Sequence, residues 1–280
     1  EYLCLENSAL SPRVMNVMPG DAGYPAEIEI TLPENMLAIP FGSSEAEVVA
    51  EHEDGTRTWR YEHNGAGGIL YAGDYIREDI EAGGMTIQFY YGRKHQAVME
   101  AAKAVDAVKE VVDYCTEHYG SLSFGTGETL KLIQSRVAGG GYATTGASLL
   151  DEADFTAANL GNTEKGGGAG EVMIHELVHQ WWGLGNMFDT SDSTSPWSAE
   201  GLTVYTTYRI VKELYGEEYA QEHYVDQWQK AVDDYYLNFY VRNPEYLEML
   251  PEQVQLAISN SLSQVRQYNE MPLKIWKAEQ

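Results

Sequence analysis

The sequence is poor in basic residues, in cysteine and in long apolar runs. Lysine and arginine together number 18, against 43 aspartates and glutamates, for a net charge of -25. Such a chain repels nucleic acid and anionic membrane surfaces, so neither is expected as a partner. Two cysteines, Cys4 and Cys115, cannot frame a disulfide scaffold in 280 residues. Cys115 falls on an apolar stripe described below and is expected to be a buried thiol. No run approaches the roughly 18 apolar residues of a membrane-spanning helix, so no span is expected in this chain. Glu1 to Leu10 has neither the basic start nor the apolar stretch of a signal sequence. The initiator methionine is absent too, and the expectation is a processed protein or a piece of a longer one.

What is present suits a folded protein. Hydrophobic residues make up 44% and aromatics 11%, enough for a sizeable core and for two domains. The first third alternates with period two. Ile28, Ile30 and Leu32 share one side of a strand over 26–32, and Met85, Ile87, Phe89 and Tyr91 share one side of another. Thr56 to Tyr61 alternates as well. Asp54-Gly55, Asn64-Gly65 and Gly83-Gly84 supply turns between the runs. An antiparallel sheet or sandwich follows from this.

Near His95 the period changes. Val98, Ala102, Val105, Val108, Val112, Cys115 and Tyr119 recur at steps of three and four, one face of a helix that Gly120 ends. A domain boundary is placed near Arg93, dividing the chain into a β domain over 1–93 and a second domain over 94–280. Strands are expected over 130–137 and 147–150, flanking the turn Gly139-Gly140-Gly141, and helices beyond residue 170. The class is α+β. The run Gly166-Gly167-Gly168 lacks the Gly-Lys-Ser/Thr ending of a phosphate loop and reads as a lead-in to a helix.

The chemistry concentrates in "EVMIHELVHQWWG", Glu171 to Gly183. Residues 172–182 hold no Pro or Gly and suit a helix. His175 and His179, four apart, stand on the same helix face and can reach one metal ion. Glu176, one step round, lies beside such an ion and can take a proton from water that the metal acidifies. The motif arises by chance often enough that a third ligand is needed. The His-plus-Gly continuation of the metzincins is absent, since Trp182 and Gly185 occupy its positions. Glu200 falls in the first turns of a helix expected to start at Ser195-Pro196 and to close at Gly216. Two His and one Glu leave a fourth zinc position open for water.

"HELVHQWWG" followed by "WSAEGLTVY" resembles the M1 family of zinc aminopeptidases, of the gluzincin group. Gln180, Trp181, Gly183, Glu200 and Gly201 match the family pattern. The resemblance implies one zinc ion held by His175, His179 and Glu200, with Glu176 as general base and a peptide or protein as substrate. It also implies a thermolysin-like, mixed α/β and mostly helical catalytic domain, truncated at its C-terminus, behind an antiparallel β domain that is itself partial. Similar family members, with the acidic composition, suggest an extracytoplasmic or cell-surface setting, as part of a membrane-anchored protein.

Besides ending 12 residues after Tyr268, short of the family's catalytic domain, the chain departs from the pattern in three places. The spacing from the second His to the Glu is two residues longer, and Ala199 replaces an Asn. In "GGYATTG", Gly140 to Gly146, Ala143 stands where the family has a Glu that binds the substrate's free α-amine. The backbone of Gly140, Gly141, Tyr142 and Ala143 is either a strand that pairs with an extended peptide or a plain turn. Either another acid, for example Glu128 or Glu152, replaces the lost anchor, or internal bonds are accepted. Tyr268, 68 residues after Glu200, is the counterpart of a tyrosine that donates to the oxyanion. The lost anchor weakens the case for strict aminopeptidase action. Two alternatives stand beside the peptidase: a weak or inactive peptidase-fold binding domain of a larger extracytoplasmic protein, and a zinc hydrolase of a non-peptide bond.

Overall fold

The computed structural model describes residues 2–4, 25–40, 44–64, 70–122, 129–136, 140–144, 146–154, 168–184 and 199–280. Among these residues, eleven strands run β1 (Tyr2–Cys4), β2 (Pro25–Pro33), β3 (Leu37–Pro40), β4 (Glu47–Glu51), β5 (Thr56–Asn64), β6 (Leu70–Gly73), β7 (Tyr75–Ala82), β8 (Met85–Gly92), β9 (Thr129–Ser135), β10 (Gly141–Thr144) and β11 (Ala147–Asp151). The helices are α1 (Gln96–Ala102), α2 (Ala104–Tyr119), α3 (Gly168–Val178), α4 (Glu200–Tyr215), α5 (Glu217–Ala220), α6 (Asp226–Leu237), α7 (Phe239–Arg242), α8 (Pro244–Leu247), α9 (Glu252–Val265) and α10 (Met271–Glu279). Two π-type segments, Gln221–Val225 and Arg266–Glu270, lead into α6 and α10. Antiparallel strands therefore precede a mostly helical region, as the alternation and the later helical spacing imply.

The strands form two three-stranded sheets, β1-β6-β3 and β2-β5-β4, and a five-stranded sheet in the order β10-β11-β9-β8-β7. Both small sheets are antiparallel. The large sheet is mixed. β8 pairs β9 in parallel because α1 and α2 intervene and return the chain to the same end. β9 also pairs β11 in parallel, and β10 folds back antiparallel on β11 to become the sheet's outermost strand. This sheet crosses Arg93, since β7 and β8 precede that residue.

Met85, Ile87, Phe89 and Tyr91 do share a face. They join α2, α3 and α4 in the main core, with Val108, Val112, Leu177, Trp181 and Val211. Cys115 is free and buried in this core. Tyr90 packs on the opposite face against Ile39, Tyr71 and Ile133, so β8 is covered on both sides. The single helix expected from Val98 to Tyr119 is two helices. Lys103 takes a left-handed conformation, φ 50°, and breaks it. The apolar stripe misses the break because Val98 and Val105 lie seven residues apart, two full turns, and stay in phase.

Lys131 of β9 is buried in the sheet, and its ammonium donates to the carbonyls of Pro40, at 2.8 Å, and of Ser44. Burial pulls this lysine down to about 8, with Arg77 adding to the effect and Glu45 opposing it. In the unfolded chain it titrates near 10.4. Between those pH values the unfolded state holds the proton and the folded state does not, so stability rises with pH there, by on the order of 3 kcal/mol. Below about 8 both states are protonated and the full cost is present. Denaturant midpoints of wild type and Lys131→Met should therefore diverge in slope between pH 8 and 10, the wild type rising more steeply. Parallel curves would contradict the depressed lysine.

Candidate active site

Helix α3 lies between the five-stranded sheet and α4. Glutamine and tryptophan side chains fix its position. Gln180 is buried. It accepts from the Gly146 amide at 3.0 Å, and its amide group donates to Ser148 Oγ at 3.3 Å. Ser148 Oγ in turn donates to the carbonyl of Glu176 at 2.8 Å, which ties the helix to β11. Trp181 donates from Nε1 to Gly120 O, and Trp182 from Nε1 to Thr206 Oγ1, both at 2.8 Å. These bonds explain the Gln-Trp-Trp run after the second histidine as anchoring rather than chemistry. At Gly183 the backbone has φ 91°, and a Cβ would lie 2.8 Å from Cβ of Ala199. Only glycine lets the chain leave α3 that close to the start of α4, where Glu200 sits.

The result is a tight convergence. His175 and His179 approach through their Nε2 atoms, 3.0 Å apart. Glu200 Oε2 lies 3.3 Å from Nε2 of His175 and 3.5 Å from Nε2 of His179. Among the described residues these three are the group whose ligand atoms could hold a metal ion. The Nδ1 atom of His179 is 3.2 Å from the Trp182 carbonyl and 3.2 Å from Thr203 Oγ1. A bond from Nδ1–H to that carbonyl places the lone pair on Nε2, facing Glu200. Glu200 Oε2 is buried without a well-directed hydrogen bond. A buried carboxylate oxygen between two imidazole nitrogens fits a cation, and the donor set of two nitrogens and one oxygen suits zinc.

Electrostatics agree with that convergence. Burial alone would raise Glu200, but both histidines outweigh it and hold the carboxyl far below the usual range. Burial lowers His175 against the opposing pull of Glu200; in His179 the Glu200 charge wins and the imidazole is raised. Glu176 is buried and pushed up to about 7, chiefly by desolvation, with His179 opposing and Glu200 assisting.

A cleft of about 400 Å3 opens beside His175 and Glu176, lined also by Gly140, Gly141 and Tyr268. Gly140 to Ala143 does not form a plain turn. Gly141 starts strand β10, at the edge of the sheet. A Cβ on Gly141 would lie 2.3 Å from Cγ of Glu176 and 2.6 Å from its Cδ, so glycine alone lets the strand cross the carboxylate. Ala143 is part of the same strand; Tyr142 is exposed. Tyr268 comes from the π-type segment Arg266–Glu270, and its ring stacks on His175 with centroids 6.4 Å apart. Burial and the Glu200 charge push its hydroxyl above its ordinary value.

Some expected residues are not brought here. Glu152 is paired with Lys94 and Arg136 instead. Glu128, the loop over 187–195 and the start Ser195-Pro196 lie outside the described residues. Helix α4 is described from Glu200, and Gly216 closes it as expected. In the tyrosine-rich stretch over 235–246, Tyr236, Phe239 and Tyr246 are about half exposed. Glu171, Val172, Val204, Thr207 and Tyr224 also line the cleft, and the sequence reading missed them. Glu171 was within reach of it, because it precedes His175 by four and shares its helix face.

Fold and site together are antiparallel strands followed by a mostly helical region, in which a helix with two histidines, a second helix with a carboxylate, and an edge strand meet. A model described as the peptidase family M1 domain matches residues 103–242, half of the chain, and the chain belongs to that family. Leucine aminopeptidase 2 of Emericella nidulans is 31% identical over 81 residues, which are 29% of this chain and 12% of that protein. A mutant M1 zinc metallopeptidase from Deinococcus radiodurans has the same fold, with TM-score 0.51 and 17% identity, over 91% of this chain and 52% of its own. The chain thus spans about half the length of that structure and a smaller share of the aminopeptidase. No described helix is long and apolar enough to cross a membrane.

Proposed function

We propose that this chain carries the catalytic site of a zinc-dependent M1-type metallopeptidase that hydrolyses peptide bonds. The observation that carries this reading is the orphaned, buried Glu200 oxygen between Nε2 of His175 and Nε2 of His179. These three residues would hold one zinc ion. Zinc supplies a Lewis acid that acidifies water and polarises a peptide carbonyl. Glu176 accepts the water's proton and delivers it to the leaving nitrogen, and an acid pushed up to about 7 suits both transfers. The Tyr268 hydroxyl donates to the oxygen that gains charge. Strand β10 offers backbone groups at Gly141 to Ala143 for an extended substrate to pair with. The catalytic unit in this reading takes in β7 and β8 with everything after Arg93, because they belong to the same sheet. Acidic composition favours an extracytoplasmic or cell-surface setting.

Ala143 provides no carboxylate for a substrate α-amine, and Glu152 is engaged elsewhere. Internal bonds are therefore accessible substrates. Cleavage of one peptide set with free and with acetylated N-termini tests this. We expect both forms to be cut, so that a free N-terminus is not required. Cleavage of the free forms alone, one residue at a time, would contradict it and make the enzyme a strict aminopeptidase.

A further inference from the structure

The cleft contains one carboxylate that the proposed chemistry does not use. Glu171 stands in the first turn of α3, one turn or about 6 Å before His175 on the same face. It lines the cleft with Val172, Val204 and Tyr224. The hydroxyl of Tyr219 donates to its Oε1 at 3.3 Å. None of the ion pairs among the described residues includes it; the charge-bearing group near it is His223, whose ring stacks on Tyr219 at 3.9 Å. Burial pushes the carboxyl above its ordinary value, against the Tyr219 bond, the His223 charge and a hydrogen bond from the Tyr224 hydroxyl.

An acid in the first turn of a helix is favoured by the helix dipole, which explains its sign. It does not explain its burial, since a solvated carboxylate serves the dipole as well. The surroundings explain more. Tyr224 is held on the π-type segment Gln221–Val225, as Tyr268 is on the other one, and both line this cleft. Such segments insert a residue into a helix and re-aim side chains, often at functional sites. The ring of Tyr224 and two valines beside a half-buried carboxylate, which the Tyr219 and Tyr224 hydroxyls hold in place, make a slot with apolar sides and an acidic end. That combination fits a methylene stem ending in a cation, or a compact ammonium.

We propose that Glu171 anchors a cationic group of the substrate, an ammonium or guanidinium, in the cleft beside His175. The inference rests on the peptidase reading for the nature of the ligand. Its source is either a Lys or Arg side chain or the free α-amine, and two peptide pairs separate them.

Binding is measured by calorimetry on the Glu176→Gln protein, so that no turnover intrudes. One pair differs by lysine against norleucine, scanned through the peptide; the other differs by a free against an acetylated N-terminus. The cationic member of one pair is expected to bind about tenfold tighter. Adding Glu171→Gln, which keeps the shape and the Tyr219 bond, should erase that preference and leave the uncharged peptide's affinity within about twofold. A preference in the lysine pair assigns a side-chain slot, and one in the acetylation pair assigns an amine anchor. Indifference in both pairs overturns the proposal, as does a preference that survives Glu171→Gln. Should that variant not fold, arginine against citrulline in the single variant decides the matter in the same way. Charge-selective binding by a protein that hydrolyses nothing would remove the peptidase reading and leave this one standing.

Discussion

Glu176→Gln is expected to abolish peptide hydrolysis, by about a thousandfold or more, while the metal content stays at the wild-type level. The carboxylate is buried beside the two histidines, but it is not among the converging ligand atoms, which belong to His175, His179 and Glu200. An amide of the same shape removes the proton acceptor and nothing that holds the ion. The variant should also melt no earlier than wild type, because a carboxyl whose charge is disfavoured by burial becomes a neutral group. Steady-state rates, metal analysis and a thermal melt on the same preparation check all three points. Hydrolysis within tenfold of wild type would remove Glu176 from its role. Loss of metal along with activity would make it a ligand instead.

Gly141→Ala should cost on the order of a hundredfold in kcat with little loss of metal. The added methyl would sit 2.3 Å from Cγ of Glu176, closer than two carbons can approach. Either the carboxylate swings out of place or β10 lifts off the helix. β10 is an edge strand and, among the described residues, pairs with β11 alone, so the strand can yield and global stability should fall modestly. The loss is geometric rather than chemical. A pH–rate profile should keep its shape while its height drops. Wild-type activity in Gly141→Ala would show that the strand does not lie over the base during catalysis.

The parts of the site that were legible in the sequence are those set by short-range geometry. Four residues make one helical turn, so His175 and His179 had to face one way and Glu176 had to lie beside them. Glu200 could be reached through the resemblance, and Gly183 explains how the two helices come near enough. Tyr268 was one of 20 tyrosines; its place over His175 depends on a π-type segment that no periodicity announces. The strand over Gly141 was hidden among glycines, because the property that matters there is the absence of a side chain against Glu176.

The fold shows the same division. β2, β5 and β8 were visible because they alternate and turn signals bound them. β6 was not, because its four residues are all buried and carry no period. The extent of the five-stranded sheet was also out of reach. The change from period two to period 3.6 marks where α1 begins, whereas sheet membership is decided by the pairing of β8 with β9 across two intervening helices.

The most direct test of the central claim is zinc stoichiometry, measured with peptide hydrolysis on wild type and on Glu200→Ala. The account predicts one zinc per chain in the wild type, removed by a chelator together with activity, with both restored by added zinc. Glu200→Ala should lose both. Hydrolysis that persists in the metal-free protein, or one tightly held zinc retained in Glu200→Ala, would contradict it.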